Sequence, residues 1–395
     1  MRKLLAICMA AAALAACSTD DEYSLDYFNQ KYGNNGSGGG TENPEDSTDT
    51  TVVVEPDTFY VAIVYSGTTA TLTGDVDRVT VSQNGADVTI TSDIEKYLQL
   101  TLSGTTTDGQ LLVNSQKAWG LVLDGVSITN QDGPAINNQC SKWLYITLAD
   151  GTENTLTDGT AYAEQTFDQK GTLFSEGQIR FLGTGTLTVN GNAKNAIACD
   201  DYIVVDDGTI NVNTSDTGSN GIKANDGFTM NGGTLTIDVK ADGGRGIRSE
   251  SYTTISGGNI TITTSGDCEI ETVDGVDDAS SAAGIKSDSL FTMTDGTLTI
   301  TSSGDGGKGI NCAANVEFKG GTLVITTTGQ NEDGKPKGIK SDTGIIVSGG
   351  SFDVTVRKSW ALDNGSESED PADRVTVEGS PTTKSIAKRV VSIKY

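Results

Sequence analysis

The sequence predicts an all-β parallel β-helix with about 25 residues and three short strands per turn, closed by a cap at each end. Three observations predict it. Gly-Ile-Lys-Ala-Asn at Gly221–Asn225 recurs in altered form at Gly246–Glu250, Gly284–Asp288, Gly309–Ala313 and Gly338–Asp342. Between these lies a second phrase, at Gly232–Ile237, Gly257–Ile262, Gly320–Ile325 and Gly349–Val354. Both phrases alternate apolar and polar residues and are rich in Thr and Ile, and no stretch reads as an amphipathic helix. Self-similarity at a fixed period in such segments means a stacked solenoid, in which a residue recurring at one phase becomes a column on a surface.

The chain opens with Arg2 and Lys3 before the apolar run Leu4–Ala16, which is too short to span a bilayer. The run ends in Leu14-Ala15-Ala16-Cys17, which resembles the lipobox of bacterial lipoproteins, where the Cys is lipidated after cleavage. Residues 1–16 are thus expected as a signal peptide. Residues 17–57, rich in Ser, Thr, Asp, Asn and Gly, are expected as a flexible acidic tether. The acidic stretch Ser18–Glu22 is either the start of that tether or a surface-export signal, so the expected address is the outer membrane, lipid-anchored and facing outward.

Residues 58–115 read as an N-terminal cap with the first, irregular turns, and the β-helix as a whole as residues 58–362. The regular turns are counted by Leu173, Ile197, Ile222, Ile247, Ile285, Ile310, Ile339 and Leu362. Each turn carries one strand through this position, one before the glycine pair (Phe228/Met230, Thr253/Ile255, Val316/Phe318, Ile345/Val347) and one after it (Leu235/Ile237, Ile260/Ile262, Leu323/Ile325). Thr236, Thr261 and Thr299 are expected to form an outward ladder. Residues 363–395 read as a C-terminal cap.

Composition narrows the chemistry. The net charge of −26 disfavours nucleic acid and anionic membrane surfaces, leaving the lipid anchor as the membrane contact. Histidine is absent, which excludes Ser-His-Asp and Cys-His catalysis and imidazole-bound zinc. Cys199 and Cys312 share one phase four turns apart, roughly 19 Å at ~4.8 Å per turn, so they read as small core residues rather than a disulfide.

Period-two alternation turns Ile222 and Ala224 inward and Lys223 and Asn225 outward. One outward column therefore reads Lys223, Arg248, Lys286, Asn311, Lys340, and the next reads Asp200, Asn225, Glu250, Asp288, Ala313, Asp342. Two residues ahead of the isoleucines come Arg245, Lys308 and Lys337, and Trp360 shares that phase. Two readings stay open at this point. The columns neutralise one another as a solvated face, or they form a strip that recognises an extended polymer bearing hydroxyls and carboxylates. Trp360 is expected to be the most exposed of the three tryptophans and able to stack on a sugar ring. The 38-residue interval between Ile247 and Ile285 holds an acidic insertion with Asp267, Asp274, Asp277 and Asp278, which with Asp288 offers oxygen ligands to a calcium ion or remains a hydrated loop.

Gly125–Asn130, Leu148–Gly159, Gly171–Glu176 and Gly183–Asn190, followed by the repeated turns, resemble the bacterial carbohydrate-binding domain-containing proteins from about residue 60 to 360. The resemblance implies a right-handed, polysaccharide-lyase-like β-helix that binds cellulose-like and pectic-acid-like polysaccharide and holds calcium. The family often places acidic residues directly before Gly-Ile-Lys. Here those slots hold Ser219-Asn220, Gly244-Arg245, Ala282-Ala283, Gly307-Lys308 and Pro336-Lys337. That departure shifts the expectation from calcium on this edge toward direct contact of Lys and Arg with uronates.

The function expected is a monomeric surface lipoprotein that binds polysaccharide without catalysis. Two alternatives remain. One is a calcium-dependent polysaccharide lyase with Lys286 as base, although several turns look equally equipped. The other is a structural or adhesive surface protein whose columns face a protein partner.

Overall fold

A computed structural model describes residues 58–93, 96–273, 276–330 and 334–395. Cys17 and the rest of the expected signal peptide and tether lie outside the described residues, as does Asp274.

The isoleucine of each first-phrase strand points inward because its neighbours on either side have somewhere else to go. Ile222, Ile247, Ile285, Ile310 and Ile339 are all buried, and each is in parallel register with the next, from Leu173 through Ile197 to Leu362. These strands belong to a twelve-stranded sheet. The strands before and after the glycine pair belong to a 23-stranded sheet, in which they run as two parallel stacks. The result is a parallel β-solenoid of about 10 turns with a pitch of ~25 residues.

The glycine of the first phrase is required by what packs over it. A Cβ at Gly246, Gly284 or Gly309 would lie 2.4, 2.4 or 2.3 Å from the Cγ2 of Ile262, Ile300 or Ile325. The second glycine of each pair turns the corner with φ of 75° at Gly233 and 76° at Gly258, a conformation glycine adopts without steric cost. The interior is then filled by in-register columns, such as Leu235, Ile260, Leu298 and Leu323. Burying one such side chain is worth about 1.5–3 kcal/mol. The columns repeat it on every turn. Cys199 and Cys312 are buried free thiols, and Cys312 stacks between Ser287 and Ser341.

The first turns differ from the later ones in having one long strand where two are expected. Tyr97–Thr106 pairs with Trp119–Thr129, and the latter feeds both Leu144–Leu148 and Glu153–Thr157. No glycine pair splits the long strands, so the bend is taken up by an irregularity between Leu102 and Gly104. Antiparallel pairing closes both ends: Thr58–Gly67 with Thr69–Gly74 and Thr80–Asn84 with Asp87–Ser92 at one, Ser351–Val356 with Val390–Lys394 at the other. Such closure keeps the stack from offering an open edge to other strands. The 38-residue turn everts as a two-stranded hairpin, Glu269–Val273 against Val276–Ser280.

Candidate functional site

The outward columns form where the twelve-stranded sheet meets solvent. Lys223, Arg248 and Lys286 occupy successive rungs, followed by Asn311 and Lys340. Each of the four cations lies against a carboxylate of the neighbouring column. Lys223 reaches Glu250 at 3.1 Å, and Arg248 lies 3.5 Å from both Glu250 and Asp288. Lys286 lies 3.4 Å from Asp288, and Lys340 lies 2.6 Å from Asp342. The pairs run both within a rung and across to the next, so the strip is a lattice of charge rather than two separated stripes. Asn311 and Ala313 interrupt it.

Electrostatics follow the lattice. Burial pushes the Glu250 carboxyl up, but Lys223 and Arg248 outweigh it and leave the group below its ordinary value. Burial and then the Arg248 charge push the Lys286 amine down, and Arg245 adds to this against the pull of Asp288. Arg245 itself is half-buried and its backbone N–H donates to the Asn220 side-chain oxygen at 3.1 Å.

Two expected contact residues are corrected, and a third is partly engaged within the fold. Lys308 and Lys337 share the register predicted for them but are only 7% and 9% exposed. The loops that lead into these strands fold over the amines. Lys308 Nζ donates to Ser281 Oγ and to the Gly334 carbonyl, and Lys337 Nζ donates to Ser359 Oγ at 2.9 Å and pairs with Asp363 at 3.0 Å. Burial and the nearby Lys340 and Lys337 charges push Lys308 down to about 8. Trp360 is half-buried, with the Arg374 guanidinium 3.8 Å and the Lys388 amine 4.3 Å from its ring centre. Cations of the C-terminal cap thus pack against its ring.

The five carboxylates expected to surround calcium are engaged separately where their side chains are described. Asp267 accepts the Asp305 backbone N–H at 2.7 Å, in a corner ladder where Asp242 serves Asp267 and Asp305 serves Gln330. Asp288 follows the other end of the strand and is held by Arg248 and Lys286. Asp277 and Asp278 sit in the hairpin opposite Thr272 and Glu271.

A different acidic group is gathered instead. Asp168, Glu176 and Asp200 each place a carboxylate oxygen within 4.8 Å of the others. Oxygen-only donors of this kind suit a hard cation such as calcium. Here the Lys170 ammonium already occupies the group, 2.6 Å from Asp168 and 2.5 Å from Asp200. Burial and the Asp200 charge raise the Glu176 carboxyl. Glu176 is the rung-mate of Asp200, since Ser175 pairs with Cys199. Carrying the acidic column one turn back finds Glu176, whereas Asp168 lies in a loop outside the repeat.

The family model for carbohydrate-binding domain-containing proteins matches residues 84–250 and 236–334. A carbohydrate-binding domain-containing protein of Acetivibrio thermocellus is 40% identical over 117 residues, 28% of this chain and 41% of that relative. The chain thus spans about two fifths of that relative's length. The gadolinium derivative of a polysaccharide lyase-like protein from C. thermocellum superposes with a TM-score of 0.54 and 28% identity, covering 66% of this chain and 96% of its own. The stacked, in-register rungs define a parallel β-helix similar in fold to that polysaccharide lyase-like protein. The chain belongs to the family of carbohydrate-binding domain-containing proteins.

Proposed function

We propose that this protein binds an extended polysaccharide along the Lys223–Asp342 strip without cleaving it, held at the outer-membrane surface by a lipidated Cys17. The observation that carries the reading is the in-register lattice of Lys223, Arg248 and Lys286 with Glu250 and Asp288. Three cations share two carboxylates there, so donors remain for uronate carboxylates while the carboxylates accept from sugar hydroxyls. A uronate-rich chain is the ligand this segment fits best, with a cellulose-like chain also served by the hydroxyl contacts. Calcium, where bound, would neutralise uronate charge, and Asp168, Glu176 and Asp200 would hold it once the Lys170 ammonium is displaced from between them.

Retention on pectate and on cellulose, with and without chelator, tests the reading in wild type and in Lys286→Ala/Lys340→Ala. Direct contact predicts about tenfold weaker pectate binding in the double variant, in keeping with the loss of one or two charge-assisted contacts. Retention on neither polymer by the wild type rejects it. The lowered Lys286 amine supports a second reading, in which Lys286 abstracts the proton beside a uronate carboxylate as a lyase base. Release of unsaturated uronide absorbance from pectate at pH 7–10 would establish that activity, and its absence with calcium present would dismiss it.

A further inference from the structure

Around the corner from the strip lies a column that neither the charge pattern nor the repeat phrases single out. Continuing the parallel register places Trp143, Gln178, Tyr202, Gly227 and Tyr252 on successive rungs, each one residue before an inward core residue. Trp143, Tyr202 and Tyr252 are half-buried. The rings of Tyr202 and Tyr252 come from rungs two apart, yet their centres are 6.1 Å apart, tilted by 35°.

Gly227 permits this. A Cβ there would lie 2.6, 2.8 and 2.9 Å from three ring carbons of Tyr252, so the ring lies back over the glycine toward Tyr202. At the upper end Trp143 stacks with Tyr145, centres 5.9 Å apart and nearly parallel at 22°. Directly beside the column stand Asp201 and Asp226, whose carboxyls hydrogen-bond one another, and the Gln178 amide donates to Asp201.

We propose that this column is a platform for a neutral pyranose polymer, with Trp143, Tyr202 and Tyr252 stacking on sugar faces and Asp201, Asp226 and Gln178 bonding the hydroxyl edges. The proposal rests on the polysaccharide-binding reading and gives it a second, chemically distinct track. Aromatic faces take the C–H faces of sugar rings, while polar groups at the ring edges fix orientation. The rung spacing of ~4.8 Å is close to the length of one extended pyranose unit, so successive rungs meet successive sugars. Two adjacent carboxylates accept from hydroxyls but repel a uronate, which separates this track from the cationic strip.

The test is binding of the full chain to hydroxyethylcellulose and to pectate by affinity electrophoresis, for wild type, Tyr202→Ala/Tyr252→Ala and Gly227→Ala. Circular dichroism confirms that each variant is folded. Gly227→Ala keeps every aromatic residue and only displaces the Tyr252 ring. The proposal expects at least tenfold weaker binding of the neutral glucan in the double variant, a smaller loss in Gly227→Ala, and unchanged pectate binding. Unchanged neutral-glucan binding in both variants overturns it. So does a wild type that binds pectate alone, which leaves the strip reading intact. A wild type that binds neither polymer overturns both.

Discussion

A buried amine and a half-buried acid pair carry the clearest consequences at the scale of single residues. Burial and neighbouring lysines push Lys308 down to about 8 in the folded chain from its ordinary 10.5, so between these values the unfolded chain binds the extra proton. Stability therefore rises as pH climbs from 8 to 10.5, by up to about 3 kcal/mol. Lys308→Met removes that rise and gains about 1–2 kcal/mol at pH 7, once its lost hydrogen bonds are offset. Urea midpoints of both proteins at pH 7 and 10 check this. Asp201 runs the other way. Burial, the Asp226 hydrogen bond and the Asp226 charge raise it to about 6 from 3.8. The folded state then holds the proton more tightly, so this contribution is complete below pH 4 and lost as pH rises through 6. Solvent at this half-buried group reduces the effect to about 1 kcal/mol. Asp201→Asn is expected to flatten the fall in melting temperature between pH 4.5 and 7.

Among the elements, the corner ladder and the outward columns show what the sequence could and could not disclose. The phase of the regular rungs from Leu173 to Leu362 is legible because a Leu or Ile recurs near the 25-residue pitch, with a glycine directly before it on five of them, and the register follows that phase throughout. Ile136 belongs to the same column but lies 37 residues before Leu173, off the 25-residue pitch, and so escapes notice. Pairing of the strip is legible too, since alternation sets which residues face out. Exposure is not. Lys308 and Lys337 have the right phase, but loops of irregular length cover them, and loop paths follow no period. The aromatic column was hidden for a related reason: its rungs carry Trp, Gln, Tyr, Gly and Tyr, with no shared residue type to betray the phase. In the corner ladder, Asp305→Ala leaves the Gln330 N–H without its 2.7 Å acceptor and is expected to cost about 1 kcal/mol, measurable as a lower denaturant midpoint.

Across the whole molecule, each rung buries its core only against its neighbours. Ile285→Ala in mid-stack is expected to destabilise by about 2–5 kcal/mol and to lower the midpoint of one cooperative transition rather than create a second. Two transitions in calorimetry would show that the stack divides.

Strict register also makes the protein a ruler. Ile285 and Ile310 are in register, so excising residues 285–309 joins Gly284 to Ile310 with every column still aligned. That shortened chain is expected to fold and to hold a proportionally shorter oligosaccharide, whereas a cut that shifts one strand by a single residue would turn that strand's inward faces out and destabilise it. Reach along a ligand is therefore set in whole increments, and duplication of a single segment suffices to lengthen it.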